Sequence, residues 1–330
     1  MKLLKKIIYW KLSLQFYLVT FLRNKFYDFG VFKSYSFETP VISVGNLSVG
    51  GTGKTPFVEF LIRHFSKNYK VAVLSRGYKR KSKGFILASD SDDSNSIGDE
   101  PFQYYSKFKN IRVAVDKKRK RGIKKLIKAG VNMIILDDAF QHRKVDPKYS
   151  ILLTDYSNLY FNDYLLPMGN LRESKSGYRR ADAIVITKCP ENFSETDKKN
   201  IMDRINLNSN QQIFFSKIKY SDNLFSADSS IKISELFNKR VNLVTGIVNS
   251  AVLIKYLENK GLIINHFRFA DHHYYKEKDI VNFSSEIIIT TEKDYTKLRK
   301  FEIKDLYYLP ISMEILGDEN ILKHIEHKIG

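Results

Sequence analysis

The sequence predicts an α/β protein with a mainly parallel sheet flanked by helices and a second, smaller α/β domain. From residue 40 onward, short β-branched apolar runs alternate with stretches of helical periodicity. A mostly polar stretch at residues 206–212 interrupts this alternation, which then resumes on a smaller scale. The expected division is therefore an N-terminal segment 1–26, a first domain 27–211 and a smaller C-terminal domain 212–330.

Each predicted strand of the first domain is a short apolar run, and these runs lie at residues 41–44, 71–74, 111–115, 133–136, 151–153 and 183–186. The helices predicted between some of them lie at residues 54–65, 116–128 and 195–205. In the smaller domain, strands are predicted at 241–244, 262–267 and 286–289 and a helix at 250–259. Strands that alternate with helices indicate βαβ units, because parallel strands need crossover connections.

The composition limits the classes of protein that fit. The chain has 330 residues and a formal net charge of +19, so its surface should attract phosphates, anionic lipid or nucleic acid, and charge alone does not choose among them. A single cysteine, Cys189, excludes an intramolecular disulfide framework and favours a reducing cytoplasmic compartment. No uninterrupted apolar stretch reaches the roughly 18 residues of a spanning helix.

The N-terminal stretch, residues 3–26, mixes large aromatic side chains with basic ones. Trp10, Phe16 and Phe21 stand among residues such as Lys11 and Arg23. This mixture is typical of a helix that lies at an anionic membrane interface. It is equally typical of a surface helix that packs on its own domain, and the sequence leaves both interpretations open.

The most specific motif is a glycine-rich loop between a predicted strand and a predicted helix. It consists of Ser48, Val49, Gly50, Gly51, Thr52, Gly53, Lys54 and Thr55. The glycines let backbone N–H groups converge on phosphate oxygens, Lys54 reaches the β- and γ-phosphates, and the Thr55 hydroxyl can ligate Mg²⁺. Ser48 stands where the general pattern has glycine. The strand, loop and helix together predict a P-loop NTPase-like domain.

A second acidic element is expected in the same domain. The predicted strand at 133–136 is apolar until it reaches Asp137 and Asp138. A strand that ends in carboxylates is the form of a Walker B element, which holds Mg²⁺ directly or through water.

Three kinds of P-loop protein compete at this point. A guanine-nucleotide switch is weakened because Pro190 follows the Thr-Lys-Cys segment where a base-reading Asp would stand. A partitioning-type ATPase is weakened because Val49 replaces its signature lysine. A small-molecule or lipid kinase needs a group that takes a proton from the acceptor hydroxyl. The acidic segment 98–101 and the Asp-His-His segment within 269–274 offer such groups.

In order along the chain, nine segments resemble the tetraacyldisaccharide 4'-kinase family, the lipid A 4'-kinases of Gram-negative envelopes. These segments are 44–56, 74–78, 98–101, 137–142, 167–173, 185–190, 245–249, 269–273 and 291–294. Two positions depart from the family pattern, Ala139 in place of glycine and Asn170 in place of proline. Neither departure removes a side chain with obvious chemistry.

The resemblance implies transfer of the γ-phosphoryl group of ATP to the 4'-hydroxyl of tetraacyldisaccharide 1-phosphate in lipid A biosynthesis. It implies a catalytic dyad of Asp99 and His272, which lie on different predicted domains, so that domain closure completes the site. A lipid substrate also fits an enzyme that lies peripherally on the anionic inner face of the inner membrane. No nucleic-acid partner and no obligate protein partner are expected. The alternative is a membrane-associated P-loop regulatory or partitioning ATPase or GTPase.

The remaining expected site residues hold metal or phosphate. The Mg²⁺ shell is expected to include Thr55 with Asp137 or Asp138, and Glu100, Gln141 and Glu173 are weaker candidates for that shell or for contacts to its waters. Contacts to ATP phosphate or to the substrate are expected from Arg76, Tyr78, Arg119 and Arg172, because arginine suits bidentate phosphate recognition.

Overall fold

A computed structural model describes residues 2–281, 283, 286–318 and 320–330 of the chain. Met1, the first residue of the expected N-terminal segment, lies outside these residues. The first part of the chain contains α1 (Lys2–Asp28), β1 (Val41–Asn46), α2 (Lys54–Phe65), β2 (Val71–Ser75), β3 (Ile86–Leu87), α3 (Ser94–Ile97), α4 (Asp99–Lys107), β4 (Arg112–Val115), α5 (Arg119–Lys128), β5 (Met133–Asp137), β6 (Tyr149–Asp155), β7 (Ala183–Thr187), α6 (Glu195–Met202) and β8 (Gln212–Tyr220).

The second part contains β9 (Asn223–Phe225), β10 (Ser230–Lys232), β11 (Arg240–Thr245), α7 (Ala251–Asn259), β12 (Ile263–Arg268), α8 (Glu277–Ile280), β13 (Ile288–Thr291), α9 (Glu292–Leu298), β14 (Leu306–Leu309), β15 (Ile311–Leu316) and α10 (Ile321–Ile329). Helix α2 begins and ends where the sequence predicts. Helix α5 begins three residues later than expected, because the Asp116 carboxylate accepts a hydrogen bond from the Lys118 backbone N–H (2.9 Å) and turns the chain first.

Among the described residues, nine strands form the larger sheet, in the order β15-β8-β7-β6-β1-β5-β2-β4-β3. All neighbouring pairs from β8 to β4 are parallel, and the edge strands β15 and β3 are antiparallel. Strands β1, β2, β5 and β7 are buried along their whole length, as expected for a parallel sheet covered on both faces. This confirms the predicted fold class.

Helix α2 covers one face of the larger sheet beside β1. Its buried residues Phe57, Val58, Leu61, Ile62 and Phe65 recur at helical spacing and pack against Ile42 and Val44 of β1 in the same core cluster. The C-terminal helix α10 joins that core through its buried isoleucines. The position of α2 fixes the loop that precedes it.

Within the described part of the chain, six strands form the smaller sheet, in the order β10-β9-β14-β13-β11-β12. Strands β12, β11, β13 and β14 are parallel to one another. Leu253 and Leu257 of α7 pack on this sheet beside Leu243 and Ile289. The carboxyl ends of these parallel strands lie at one edge of the sheet and carry the segments at 245–249, 269–273 and 291–294.

Sheet membership differs from the expected division at residue 212. Strand β8 pairs parallel with β7, and β15 returns antiparallel to β8 from the Ile311 to Tyr220 pair to the Leu316 to Phe215 pair. Helix α10 then packs in the core of the larger sheet. The smaller unit therefore comprises about residues 221–310, and the larger one resumes afterwards. The polar stretch at 206–212 is a connection inside the larger unit, which periodicity alone does not reveal.

Candidate active site

The glycine-rich loop lies between the carboxyl end of β1 and the first turn of α2. Gly50 and Gly53 have φ angles of +108° and +79°, which favour glycine because it lacks a Cβ atom. The Thr187 hydroxyl of β7 donates to the Thr52 carbonyl (2.9 Å), and the Asn46 amide donates to the Thr52 hydroxyl (2.8 Å). The loop is thus anchored by two strands of the sheet and turns its backbone towards the start of α2.

The acidic end of β5 lies beside this loop, because β5 is the parallel neighbour of β1. The Asp138 carboxylate lies 3.6 Å from Lys54 Nζ and accepts two hydrogen bonds from Arg172 Nη1, at 2.9 and 3.0 Å. Burial raises the pKa of Asp138, but the charges of Lys54 and Arg172 outweigh it and hold that pKa below its usual value. Asp138 is therefore a carboxylate next to the phosphate-binding lysine.

Asp137 has the opposite electrostatic environment. Burial, together with the negative charges of Asp138 and Glu100, raises its pKa to about 7. The carboxyl group of Asp137 therefore lies close to two other acidic side chains beside the glycine-rich loop, and a divalent cation would stabilise this negative centre. Carboxylate and hydroxyl oxygens are also the ligands that Mg²⁺ prefers.

Among the described residues, no group of three or more His, Cys, Asp or Glu side chains is arranged to hold a metal ion by itself. Mg²⁺ commonly keeps several waters and binds through one or two carboxylates and the phosphates of a nucleotide. The Thr55 hydroxyl, Asp137 and Asp138 fit this mode of binding, in which the nucleotide completes the coordination shell.

Glu173 and Gln141 have structural partners instead. Glu173 is buried, and its two oxygens accept hydrogen bonds from Arg180 Nη2 (2.9 Å each), Asn24 Nδ2 (2.8 Å) and Gln141 Nε2 (3.0 Å). The Gln141 amide also donates to the Asn46 carbonyl (2.8 Å). These contacts occupy the oxygens of Glu173, so it does not present a free oxygen to Mg²⁺ in this structure.

The four residues expected at phosphate or substrate differ in exposure. Arg76 and Tyr78 are exposed, and Arg172 is paired with Asp138. Arg119 is only 2% exposed, and its guanidinium donates to the backbone carbonyls of Asp116 (2.6 Å) and Asp137 (3.2 Å). Arg119 is therefore buried against the end of β5, where its guanidinium holds the Asp137 carbonyl.

The structure brings together the two residues expected to form the dyad. Asp99 is the first residue of α4 and follows Gly98, whose φ angle is +99°. His272 follows β12 in a left-handed turn with φ +59°. The Nδ1 atom of His272 lies 2.8 Å from Asp99 Oδ2, and the Tyr78 ring lies edge-on at a centroid distance of 5.6 Å. His273 instead contacts Asp279 at 3.0 Å.

Glu100 connects the dyad with the nucleotide end of the cleft. Its Oε1 atom lies 3.8 Å from His272 Nε2, and its charge raises the pKa of Asp137. Glu100 therefore lies between His272 Nε2 and the acidic end of β5.

Helix α9 adds two lysines that sequence reasoning missed. Lys297 Nζ lies 2.7 Å from Asp99 Oδ2, and Lys293 Nζ lies 3.2 Å from His272 Nε2 and 2.9 Å from Asp271 Oδ1. Burial raises the pKa of Asp99, but the contacts with His272 and Lys297 lower it below its usual value. The motif at 291–294 was a signal for this helix, but nothing in the pattern pointed to Lys297.

A glycine-rich loop, an acidic strand end and a carboxylate–histidine pair are the groups expected of a P-loop kinase, which needs a nucleotide site and a proton acceptor for the second substrate. The chain also matches the family model described as tetraacyldisaccharide-1-P 4'-kinase over residues 5–330. It belongs to that family and is a kinase, and the switch and partitioning ATPase interpretations are not favoured.

Relatives support the same assignment along the whole chain. A tetraacyldisaccharide 4'-kinase of Flavobacterium johnsoniae is 44% identical over 341 residues, covering 100% of this chain and 99% of the relative. One from Bacteroides thetaiotaomicron is 42% identical, covering 94% and 89%. A crystal structure of LpxK from Aquifex aeolicus in complex with ATP has a TM-score of 0.79 and 32% identity, covering 97% of each chain.

Proposed function

We propose that this chain transfers the γ-phosphoryl group of ATP to the 4'-hydroxyl of a tetraacyldisaccharide 1-phosphate at a membrane surface, with Asp99 and His272 as the catalytic dyad. The observation that supports the dyad best is its position. The 2.8 Å contact between Asp99 and His272 joins the two sheets, and Glu100 connects it to the acidic end of β5.

The nucleotide phosphates bind the amides of the glycine-rich loop and the ammonium of Lys54. Thr55 with Asp137 or Asp138 would hold Mg²⁺, which would supply charge neutralisation for the transferred phosphoryl group. In the structure, Asp138 contacts Lys54 and Arg172 at 3.6 and 2.9 Å, and this supports a role for both basic side chains at the nucleotide phosphates. Positioning and charge neutralisation then account for most of the rate enhancement.

The dyad acts on the acceptor. His272 donates its Nδ1 hydrogen to Asp99 Oδ2, which leaves the lone pair on Nε2. Lys293 Nζ lies 3.2 Å from Nε2 in the structure, and the 4'-hydroxyl replaces this ammonium when the acceptor binds. Nε2 takes the proton of the 4'-hydroxyl as the sugar oxygen bonds to the γ-phosphorus and the bond from phosphorus to the bridging oxygen of ADP breaks. The Asp99 carboxylate stabilises the imidazolium that forms.

Replacement of the dyad residues tests this assignment. Asp99→Asn and His272→Ala should each lower kcat about 10²- to 10⁴-fold and leave KM for ATP nearly unchanged, because general-base catalysis contributes on that order. His273→Ala is the matched control, since this neighbouring histidine contacts Asp279 rather than Asp99. An unchanged kcat in either dyad variant would exclude the assignment.

We also propose that α1 binds the anionic inner face of the inner membrane. The inward side of the helix is polar, with Ser13 donating to the Leu165 carbonyl (3.0 Å), Arg23 to the Gln141 carbonyl (3.0 Å) and Asn24 to Glu173 (2.8 Å). Its outward side is apolar, and Trp10 and Val19 are 59% and 67% exposed. In the part of the chain that the structure describes, no helix is long and apolar enough to cross a bilayer.

An exposed apolar face with a polar inner face is the reverse of an ordinary surface helix, and contact with lipid would bury that apolar area. Flotation with phosphatidylglycerol-containing vesicles tests this arrangement. Leu18→Glu, on the exposed face, should lower the bound fraction at least about tenfold, since it places a charge among buried acyl chains. Gln15→Glu adds the same charge at an exposed polar position of α1 and should have a smaller effect. Equal losses would mean that net charge alone drives binding.

A further inference from the structure

Helix α9 has no assigned role, although it reaches the dyad from the smaller unit. It begins at Glu292, directly after β13, and the Thr291 hydroxyl caps it by accepting from the Asp294 backbone N–H (3.1 Å). Asp294 is fully buried and accepts from the Gly246 backbone N–H (2.8 Å), which fixes the first turn against the end of β11. One and a half turns later, Lys297 lies against Asp99.

The contact of Lys297 with Asp99 is short and shielded from water. Lys297 Nζ lies 2.7 Å from Asp99 Oδ2, the same oxygen that His272 Nδ1 contacts at 2.8 Å. The side chains of Lys297 and Asp99 are only 7% and 15% exposed. The ammonium also points to the His273 carbonyl, at 3.4 Å. Two donors from the smaller unit therefore converge on one oxygen of a carboxylate from the larger unit.

A second contact sets the position of α9 relative to the nucleotide helix. Lys107 of α4 lies 2.6 Å from Glu292 of α9 and 2.6 Å from Glu59 of α2. The helix that carries Lys54, the helix that carries Asp99 and the helix that carries Lys297 are therefore joined by one lysine. These contacts fix the position of α9, which carries Lys297. The ammonium of Lys297 therefore sets the orientation of the Asp99 carboxylate.

The orientation of Asp99 is what this lysine can control. The terminal torsion of an aspartate side chain is broad, so one hydrogen bond from a histidine leaves the carboxylate free to turn. A buried carboxylate is also unfavourable unless a positive partner compensates its charge. Lys297 supplies both the second donor and the charge, at the same oxygen that His272 Nδ1 contacts.

We propose that Lys297 is a positioning residue of the kinase reaction, holding Asp99 Oδ2 against His272 Nδ1 so that Nε2 remains the proton-accepting nitrogen. This inference rests on the proposed dyad. It assigns to Lys297 no contact with ATP or with the lipid, because its partners in the structure are Asp99 and the His273 carbonyl.

The test is a double-mutant cycle on the full chain, with kcat and KM for ATP measured in mixed micelles. Lys297→Met should lower kcat about 100-fold, the order of effect expected when a reacting group is misplaced by about 1 Å, with KM for ATP changed less than about twofold. Lys297→Arg keeps the charge and a donor and should recover at least about tenfold of that loss. Lys255→Met, at an exposed lysine of α7 in the same unit, is the matched control and should retain full kcat.

The cycle is completed by Lys297→Met in the Asp99→Asn background, where it should change kcat less than about twofold, because residues that act as one unit are not additive. A loss of equal size in both backgrounds would overturn the inference and leave the dyad intact. A wild-type kcat for Asp99→Asn alone would instead overturn the dyad, and the inference with it. If Lys297→Met fails to fold, Lys297→Gln, which retains a neutral donor, replaces it in the same cycle.

Discussion

Lys107→Met removes an ammonium that contacts one carboxylate of the larger unit and one of the smaller unit. Lys107 Nζ lies 2.6 Å from Glu59 Oε2 and 2.6 Å from Glu292 Oε1, and the side chains of these two glutamates are 3% and 10% exposed. Gln103 Nε2 donates to the other oxygen of Glu59 (2.9 Å), so a neutral donor remains there after the substitution. What is lost is a positive charge that lies within 3 Å of both carboxylates.

Breaking a buried ion pair by removing one partner typically lowers the free energy of unfolding by about 3–5 kcal/mol. Arg63 lies 3.6 Å from Glu59 but is half-exposed, so it compensates only in part. We therefore expect Lys107→Met to lower the free energy of unfolding by about 3 kcal/mol, near the bottom of that range. Glu292→Gln in the same chain should restore at least about 1 kcal/mol, because it removes one of the two facing charges.

The loss of unfolding free energy in Lys107→Met should also depend on pH. Burial and the neighbouring charge of Glu59 raise the pKa of Glu292 above its ordinary value, against the opposing effect of Lys107. A carboxyl group with a raised pKa binds more protons in the folded state, so its contribution to stability is present at low pH and is lost as pH rises through the raised pKa. The deficit of Lys107→Met should therefore be larger at pH 8 than at pH 5.

Urea unfolding followed by circular dichroism at both pH values measures these changes. Lys109→Met is the matched control, because Lys109 is exposed and lies 5.3 Å from the Tyr105 ring, a contact expected to contribute less than about 1 kcal/mol. A loss below about 1 kcal/mol in Lys107→Met, or a loss equal at both pH values, would refute the reasoning that this lysine neutralises two buried carboxylates.

Three further predictions follow from other parts of the structure. Gly45→Ala would place a Cβ atom 2.6 Å from Phe140 Cβ and 2.7 Å from its backbone nitrogen, so we expect a loss of about 1–3 kcal/mol in thermal unfolding and weaker ATP binding; an unaffected variant would contradict the close approach of β1 to this segment. Glu173→Gln should lower stability, because Arg180 loses its charged partner, yet leave the Mg²⁺ dependence of kcat unchanged; a large shift in that dependence would return Glu173 to the metal shell. Ile325→Ala should lower the free energy of unfolding by about 2–5 kcal/mol and reduce hydrogen-exchange protection in β6 and β1 rather than in β11, since α10 packs in the core of the larger sheet.

The fold class followed from the sequence because the parallel strands of a buried sheet are short, apolar and separated by helices. Strands β1, β5 and β7 and helix α2 show this pattern, and all four appear at the predicted places. The return of β15 to the larger sheet was not predictable in the same way. This antiparallel edge strand pairs with residues 91 to 101 positions earlier, and its half-buried side chains give no signal of which sheet it joins.

The residues of the candidate site also differ in how far local sequence predicts their positions. Loop geometry constrains residue type, so the turn at Gly50 and Gly53 was predictable from the chain alone, and both glycines have positive φ angles. Glu173 and Arg119 were expected at metal and phosphate, but burial gives them structural partners, and burial of a charged residue is decided by tertiary contacts that local sequence does not encode. Lys297 was missed for the same reason, since its partner Asp99 lies 198 residues away in the chain.

We propose that the glycine-rich loop holds the ATP whose γ-phosphoryl group is transferred to a lipid acceptor. The most direct measurement is phosphoryl transfer from γ-labelled ATP with Mg²⁺ to tetraacyldisaccharide 1-phosphate in mixed micelles, for the unaltered chain and for Lys54→Ala. The unaltered chain should label the 4'-oxygen of the disaccharide and the variant should lose transfer, because a lysine at this position of a glycine-rich loop reaches the β- and γ-phosphates. An unaltered chain that hydrolyses ATP without labelling the lipid, or a variant that retains full transfer, would contradict this proposal.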